Sequence, residues 1–147
     1  MDKLALKKFL IQSESEKAQQ SEIEYERYLS DNNSAENDVV DMDAQSHHQE
    51  SLDIAQKLEE QIHLHERHIE QIKTIDFSPT DLIKPGAIIE TANIHLIIAT
   101  SIPAFTWEGK KYIGLSPQAP LYQCIKDKKV GEKCTYNQTS FDIKAIY

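Results

Sequence analysis

The residues of this chain that could do chemistry are mostly carboxylates. Between Asp31 and Glu50 stand six acids (Asp31, Glu36, Asp38, Asp41, Asp43 and Glu50) and not one lysine or arginine. Carboxylates at this density repel one another unless a cation sits among them, and hard oxygen donors suit Mg²⁺. The same Asp-, Asn- and Ser-rich stretch is also what an ordinary solvated connection between helices looks like. Histidines are the second candidate set: His47-His48, then His63, His65 and His68. At 100° per residue His63 lies roughly 200° around a helix from His65, so these two do not converge. The reading is therefore a solvated or seam-packed role for the histidines, with no metal of the protein's own. A third set, Lys126, Lys128, Lys129 and Lys133, forms a modest basic cluster that suits an acidic protein surface or a solvated turn. Cys124 and Cys134 make neither a disulfide framework nor a zinc pattern, and reduced thiols are expected.

The acids need elements to carry them. Ser51, Ala55, Leu58, Ile62, His65, Ile69 and Ile72 recur at alternating steps of four and three, a heptad seam on a helix over residues 48–73. Residues 2–30 also lack Gly and Pro and favour a helix. Their seven-residue repeat is Leu4, Ile11, Ala18 and Tyr25, with the poorer complement Lys8, Ser15, Glu22 and Leu29. Such a helix is marginal alone and needs a partner to lie on. With residues 31–47 as the turn, the two make an antiparallel coiled-coil hairpin with arms about 40 Å long, suited to a lever or probe. Beyond residue 76 the texture changes to β-branched runs: Ala87–Thr91 and Ile94–Ala99 around the turn Ala92-Asn93, then Phe105–Trp107 and Lys111–Ile113 around Glu108-Gly109-Lys110. Leu121–Lys126 reads as a short helix, and Lys133–Tyr136 with Ser140–Ile146 close a sheet. The expected fold class is α+β: a helical hairpin, 1–76, followed by a small domain with an antiparallel sheet, 77–147. Phe105, Trp107 and Tyr112 are assigned to its core.

Charge divides at the same place. Residues 1–76 carry 18 acids against 8 bases, and residues 77–147 carry 6 against 8. An acidic half repels phosphate, so direct, sequence-specific nucleic-acid binding is not expected of it. No stretch reads as a signal peptide or a membrane span, and the chain reads as cytoplasmic.

The C-terminal half resembles the globular domain of Gre-type transcript cleavage factors, which is FKBP-like. That family has a Ser-Pro opening a seven-residue helix, then Lys-Lys-Val-Gly-Asp/Glu and two closing strands. Here Ala119-Pro120, Leu121–Asp127, Lys128-Lys129-Val130-Gly131-Glu132, Cys134–Tyr136 and Phe141–Ile146 follow in that order. A small residue replaces the Ser before Pro120, although Ser116-Pro117 stands upstream. The resemblance implies Pro120, Lys128 and Lys129 as polymerase-docking residues.

In the hairpin, Asp41 falls on the Asp of the Gre tip, but Ala44 falls on its Glu and Gln45 on its Asn. The stretch Asp38-Val39-Val40-Asp41-Met42-Asp43-Ala44-Gln45 is more similar to the tip of DksA-type regulators, with both aspartates matched and Asp43 in place of the first Ala. The zinc cysteines of most DksA proteins are absent. The resemblance implies a monomeric transcription factor that enters the secondary channel of RNA polymerase, with Asp38, Asp41 and Asp43 acting at the active centre. A DksA-like tip implies regulation of initiation and elongation without RNA cleavage. A Gre-like tip implies stimulation of the polymerase's own transcript cleavage, with Asp41 and Asp43 sharing a polymerase-bound Mg²⁺ that activates water. Either way the protein is not itself an enzyme and needs no cofactor. The more distant alternatives are an FKBP-like prolyl isomerase and a dimeric coiled-coil adaptor.

Overall fold

The computed structural model of the protein describes residues 1–33 and 42–147. Two helices, α1 (Lys3–Asn33) and α2 (Met42–Thr74), precede a β-rich stretch. That stretch holds β1 (Ile88–Glu90), β2 (His95–Ile98), β3 (Ile102–Trp107), β4 (Lys110–Leu115), α3 (Pro120–Ile125), β5 (Lys133–Tyr136), β6 (Thr139–Asp142) and β7 (Ala145–Ile146). The expected α+β architecture, a helical hairpin and then a small, mainly antiparallel domain, is what the chain adopts. It divides into two compact units: residues 10–70, and residues 1–9 together with 71–147.

In the unit of residues 10–70, the α2 seam follows the heptad pattern. Ala55 and Ile62 are buried, Leu58, His65 and Ile69 half-buried, while Asp53, Gln56, Glu59, Glu60 and Glu66 face water. The α1 seam differs from the expected one. Leu10, Glu14, Ala18 and Ser21 are buried, whereas Leu29 and Glu22 are exposed, as is Leu4 at 66%. The weak seven-residue repeat was misleading because this seam is partly polar: Glu14 and Ser21 occupy buried positions that hydrophobicity alone does not mark.

The unit that contains the sheet is organised as β3-β4-β2-β1-β7. β1 and β2 pair antiparallel with Ile88 opposite Ile97 and Glu90 opposite His95, as the Ala92-Asn93 turn requires. β3 and β4 form the second hairpin, closed by Glu108 and Gly109, both at positive φ. β2 and β4, however, run parallel, with His95 opposite Tyr112 and Ile98 opposite Leu115. The chain leaves β2, passes to the sheet edge as β3, and returns as β4 between the two. Gly114 permits that crossing, since a Cβ there would stand 2.5 Å from the Thr100 carbonyl oxygen. β5 and β6 do not extend the main sheet but form a separate two-stranded ribbon turned by Asn137 and Gln138, both at positive φ. Only β7 closes the sheet, on β1.

The core lies between sheet, ribbon and α3: Ile89, Leu96, Ile98, Ile125, Cys134 and Ile143 are all buried. Cys124 of α3 and Cys134 of β5 are joined as a disulfide with Cα atoms 6.0 Å apart, and no free cysteine remains. The expectation of reduced thiols is thus corrected. Two cysteines are too few to signal pairing by number, but α3 and β5 bring them face to face.

The first turns of α1 are stitched to this unit by lysines. Lys3 Nζ donates to the backbone oxygens of Ser78 and Tyr147, each at 2.9 Å. Lys7 Nζ donates to the carbonyls of Lys73 (3.1 Å) and Ile75 (2.8 Å), satisfying acceptors that the end of α2 leaves open, and lies over the Phe77 ring. Phe9 joins an aromatic group with Phe105 and Trp107, its ring centroid 5.7 Å and 6.4 Å from theirs.

Candidate functional site

The acids singled out by sequence fall on and between the facing ends of α1 and α2 in the chain. Asp38 and Asp41 lie outside the described residues, and Asp43 stands in the first turn of α2, its side chain outside them too. The structure describes the helices on either side of them. α1 runs to Asn33 and α2 starts at Met42, so both helices extend further into the 31–47 stretch than their sequence boundaries suggested. Asp31, near the end of α1, and Glu50 of α2 are exposed, as are Glu24, Glu26 and Asp53. From Leu10 to Asn33 α1 rises about 35 Å at about 1.5 Å per residue.

The residues expected from the resemblance to dock, Pro120, Lys128 and Lys129, lie along one segment. Pro120 opens α3 at its first turn, where its missing N–H costs nothing and its fixed φ suits the helix. Lys128 and Lys129 form the turn between α3 and β5, braced by the Lys128 N–H to Ile125 carbonyl bond (2.9 Å) and the Glu132 N–H to Lys129 carbonyl bond (3.0 Å). Gly131 follows at φ +91° and ties the turn to Ile143. Val130 stands out to water between Lys129 and Gly131, 57% exposed. Of the aromatic residues assigned to the core, Tyr112 is buried, stacked on Phe105 at 5.6 Å and beside His95 at 4.9 Å, while Phe105 and Trp107 are half-buried.

A second constellation was not foreseen. Glu14 of α1 is buried to 1% exposure, and its Oε2 accepts from His65 Nδ1 at 2.7 Å and His68 Nδ1 at 3.0 Å, both on α2. A carboxylate only accepts, so each Nδ1 carries the proton in this arrangement. Lys17 donates to the other oxygen, Oε1, at 3.2 Å. Burial pushes the Glu14 carboxyl up, but the bonds from His65, His68 and Lys17 outweigh it, and the group is held below the usual glutamate range. His63 is separate, as its angular position implied: it is exposed and meets Glu59 and Glu66 on its own helix. Sequence reasoning missed the cluster because its anchor comes from the other helix. The available signal was a glutamate spaced four residues from both Leu10 and Ala18, on a buried stripe.

Elsewhere, Glu90 accepts from the Tyr147 hydroxyl at 2.9 Å, which raises that phenol above its ordinary range. Asp76 is lowered by its bonds from the Ser78 hydroxyl and N–H.

Comparison with known proteins yields no match to a family model, a curated protein or a solved structure.

Proposed function

We propose that this chain is a transcription factor that binds RNA polymerase in its secondary channel and modulates initiation and elongation through the acidic tip of its helical hairpin. The observation that carries the reading is the pair of long helices, 31 and 33 residues, with the run Asp38-Val39-Val40-Asp41-Met42-Asp43-Ala44-Gln45 spanning the link between them and the start of the second. A helix pair of this length suits a probe that can place carboxylates deep in another protein's channel. Pro120, Lys128 and Lys129 are the proposed contacts holding the C-terminal part on the polymerase surface. The buried seam positions Ala55 and Ile62 are covered within one chain, which supports a monomer over a coiled-coil adaptor that dimerises through them. The place of action is the cytoplasm, where the polymerase is.

Two outcomes separate regulation from cleavage. The protein and its Asp41→Asn variant are added to a backtracked elongation complex and to a ribosomal-type promoter complex of the cognate polymerase. Reduced promoter output without RNA shortening, weakened in the variant, is the expected result, because Ala44 stands where a cleavage factor carries Glu. Shortening of the RNA that Asp41→Asn abolishes would instead assign the Gre-like activity. Absence of polymerase binding refutes both.

A further inference from the structure

We infer that Glu14, His65 and His68 form a binding site for a divalent transition metal of the zinc class, linking the two helices of the hairpin. One ligand atom from each of the three residues lies within 4.8 Å of the others, a grouping that a single ion can bridge. The set is mixed in the way such ions require: two imidazole nitrogens and one carboxylate oxygen, the donors of a three-ligand zinc site that keeps a fourth position for water. Mg²⁺ and Ca²⁺, which take oxygen donors, are poorly served by it.

Two of the three donor separations are already close to those of a bound ion. With bonds of about 2.0–2.1 Å, neighbouring donors in a tetrahedral site lie about 3.3 Å apart. The Glu14–His65 and Glu14–His68 separations are 2.7 and 3.0 Å, so the side chains must part by a few tenths of an ångström. Helical spacing supplies the pair, since His65 and His68 are three residues apart on α2 and share a face. Their side chains retain 19% and 12% exposure, which leaves a path for the ion and its water, while Glu14 is enclosed. On binding, each imidazole gives its Nδ1 lone pair to the metal and carries its proton on Nε2, the tautomer opposite to the one that hydrogen-bonds Glu14. Lys17 stays on Oε1 and satisfies the carboxylate oxygen that the metal does not use, at the expense of a cation near a cation.

The purified full-length chain is enough to test the site, so its failure is distinct from any failure to bind polymerase. Zn²⁺ is titrated calorimetrically into the tag-free protein at pH 7.5, and Co²⁺ is titrated while visible absorbance is recorded. The expected result is one ion per chain, with intense Co²⁺ bands of four-coordinate geometry. Replacing a ligand in Glu14→Gln or His68→Gln lowers affinity at least about tenfold, while His63→Gln leaves it unchanged. Lys17→Met, which touches no ligand atom of the metal, tightens binding by removing the nearby charge. Binding that survives in the His65→Gln/His68→Gln double variant, or no saturable binding by the wild-type chain at micromolar Zn²⁺, overturns the site. Lys17→Met with unchanged affinity places any bound ion elsewhere and overturns it equally. Circular dichroism of each variant separates a lost site from a lost fold, and the Lys17 and wild-type results decide the matter if a ligand variant fails to fold.

Discussion

Three glycines of the sheet-containing unit allow backbone strain and steric crowding to be measured apart. Gly131 has φ +91°, and a Cβ placed there would have nothing within 4 Å, so Gly131→Ala meets strain alone. Gly114 lies outside the left-handed region, but its Cβ would meet the Thr100 oxygen at 2.5 Å and Ile102 Cβ at 2.7 Å, so Gly114→Ala meets crowding alone. Gly86 combines the two: φ is +91°, and a Cβ would stand 1.9 Å from the Asp76 carbonyl oxygen. Neither side can yield cheaply there, because Gly86 N–H is itself bonded to the Ile98 oxygen at 2.7 Å. Left-handed backbone costs an L-residue about 1–2 kcal/mol. Overpacking typically costs about 1–3 kcal/mol. Gly131→Ala is therefore expected to lose about 1–2 kcal/mol and Gly114→Ala about 1–3 kcal/mol, with Gly86→Ala near their sum, about 2–5 kcal/mol. Urea unfolding followed by Trp107 fluorescence reads this unit selectively, since Trp107 is the chain's one tryptophan and lies in β3. With a slope of about 1–3 kcal/mol per molar urea, the Gly86 variant shifts the midpoint by more than about 0.7 M. A Gly86→Ala midpoint equal to that of Gly131→Ala would show that the Asp76 carbonyl is not held against Gly86, and would refute the close packing of residues 76–86.

Lys3→Met keeps the aliphatic stem but strands the oxygens of Ser78 and Tyr147, and the same urea assay should show a loss of about 2–3 kcal/mol; a loss below about 0.5 kcal/mol would mean the ammonium is not seated there. Tyr147 is expected to ionise later than ordinary tyrosine because it donates to Glu90. Its raised value means that the stabilisation is complete below the unfolded tyrosine value near 10 and fades as pH rises through the folded one. Tyrosinate absorbance should therefore lose a late-rising component in Tyr147→Phe, leaving that of the buried Tyr112, and a wild-type-minus-variant difference that rises at the ordinary tyrosine value near 10 would refute the bond. Reducing the Cys124–Cys134 bridge, whose partners are ten residues apart, should lower stability by about 2–3 kcal/mol, with two thiols titrating only after reduction.

What the sequence made legible was whatever one element decides for itself. The α2 seam was readable because Ala55, Leu58, Ile62 and Ile69 sit at heptad spacing in a stretch without Gly or Pro, and the two sheet hairpins because their turns are local. What escaped depends on partners distant in the chain. The α1 seam holds Glu14, a residue that is buried only because His65 and His68 meet it from the other helix. The parallel pairing of β2 with β4 follows from the crossing at Gly114, and the separate β5–β6 ribbon and the disulfide follow from how α3 lies. At the tip, Asp38 and Asp41 were legible as charge, but their positions fall outside the described residues.

The division of the chain has a consequence for how such a protein can change. Residues 10–70 are a guest segment whose host is assembled from both flanks, residues 1–9 and 71–147. For the host, the guest's length enters only through the entropy of closing a chain excursion, which grows by about 0.6 kcal/mol per doubling. Whole heptads added to or removed from both helices together would preserve the seam and leave host stability nearly untouched. The length of the helical segment is thus adjustable independently of the host's stability.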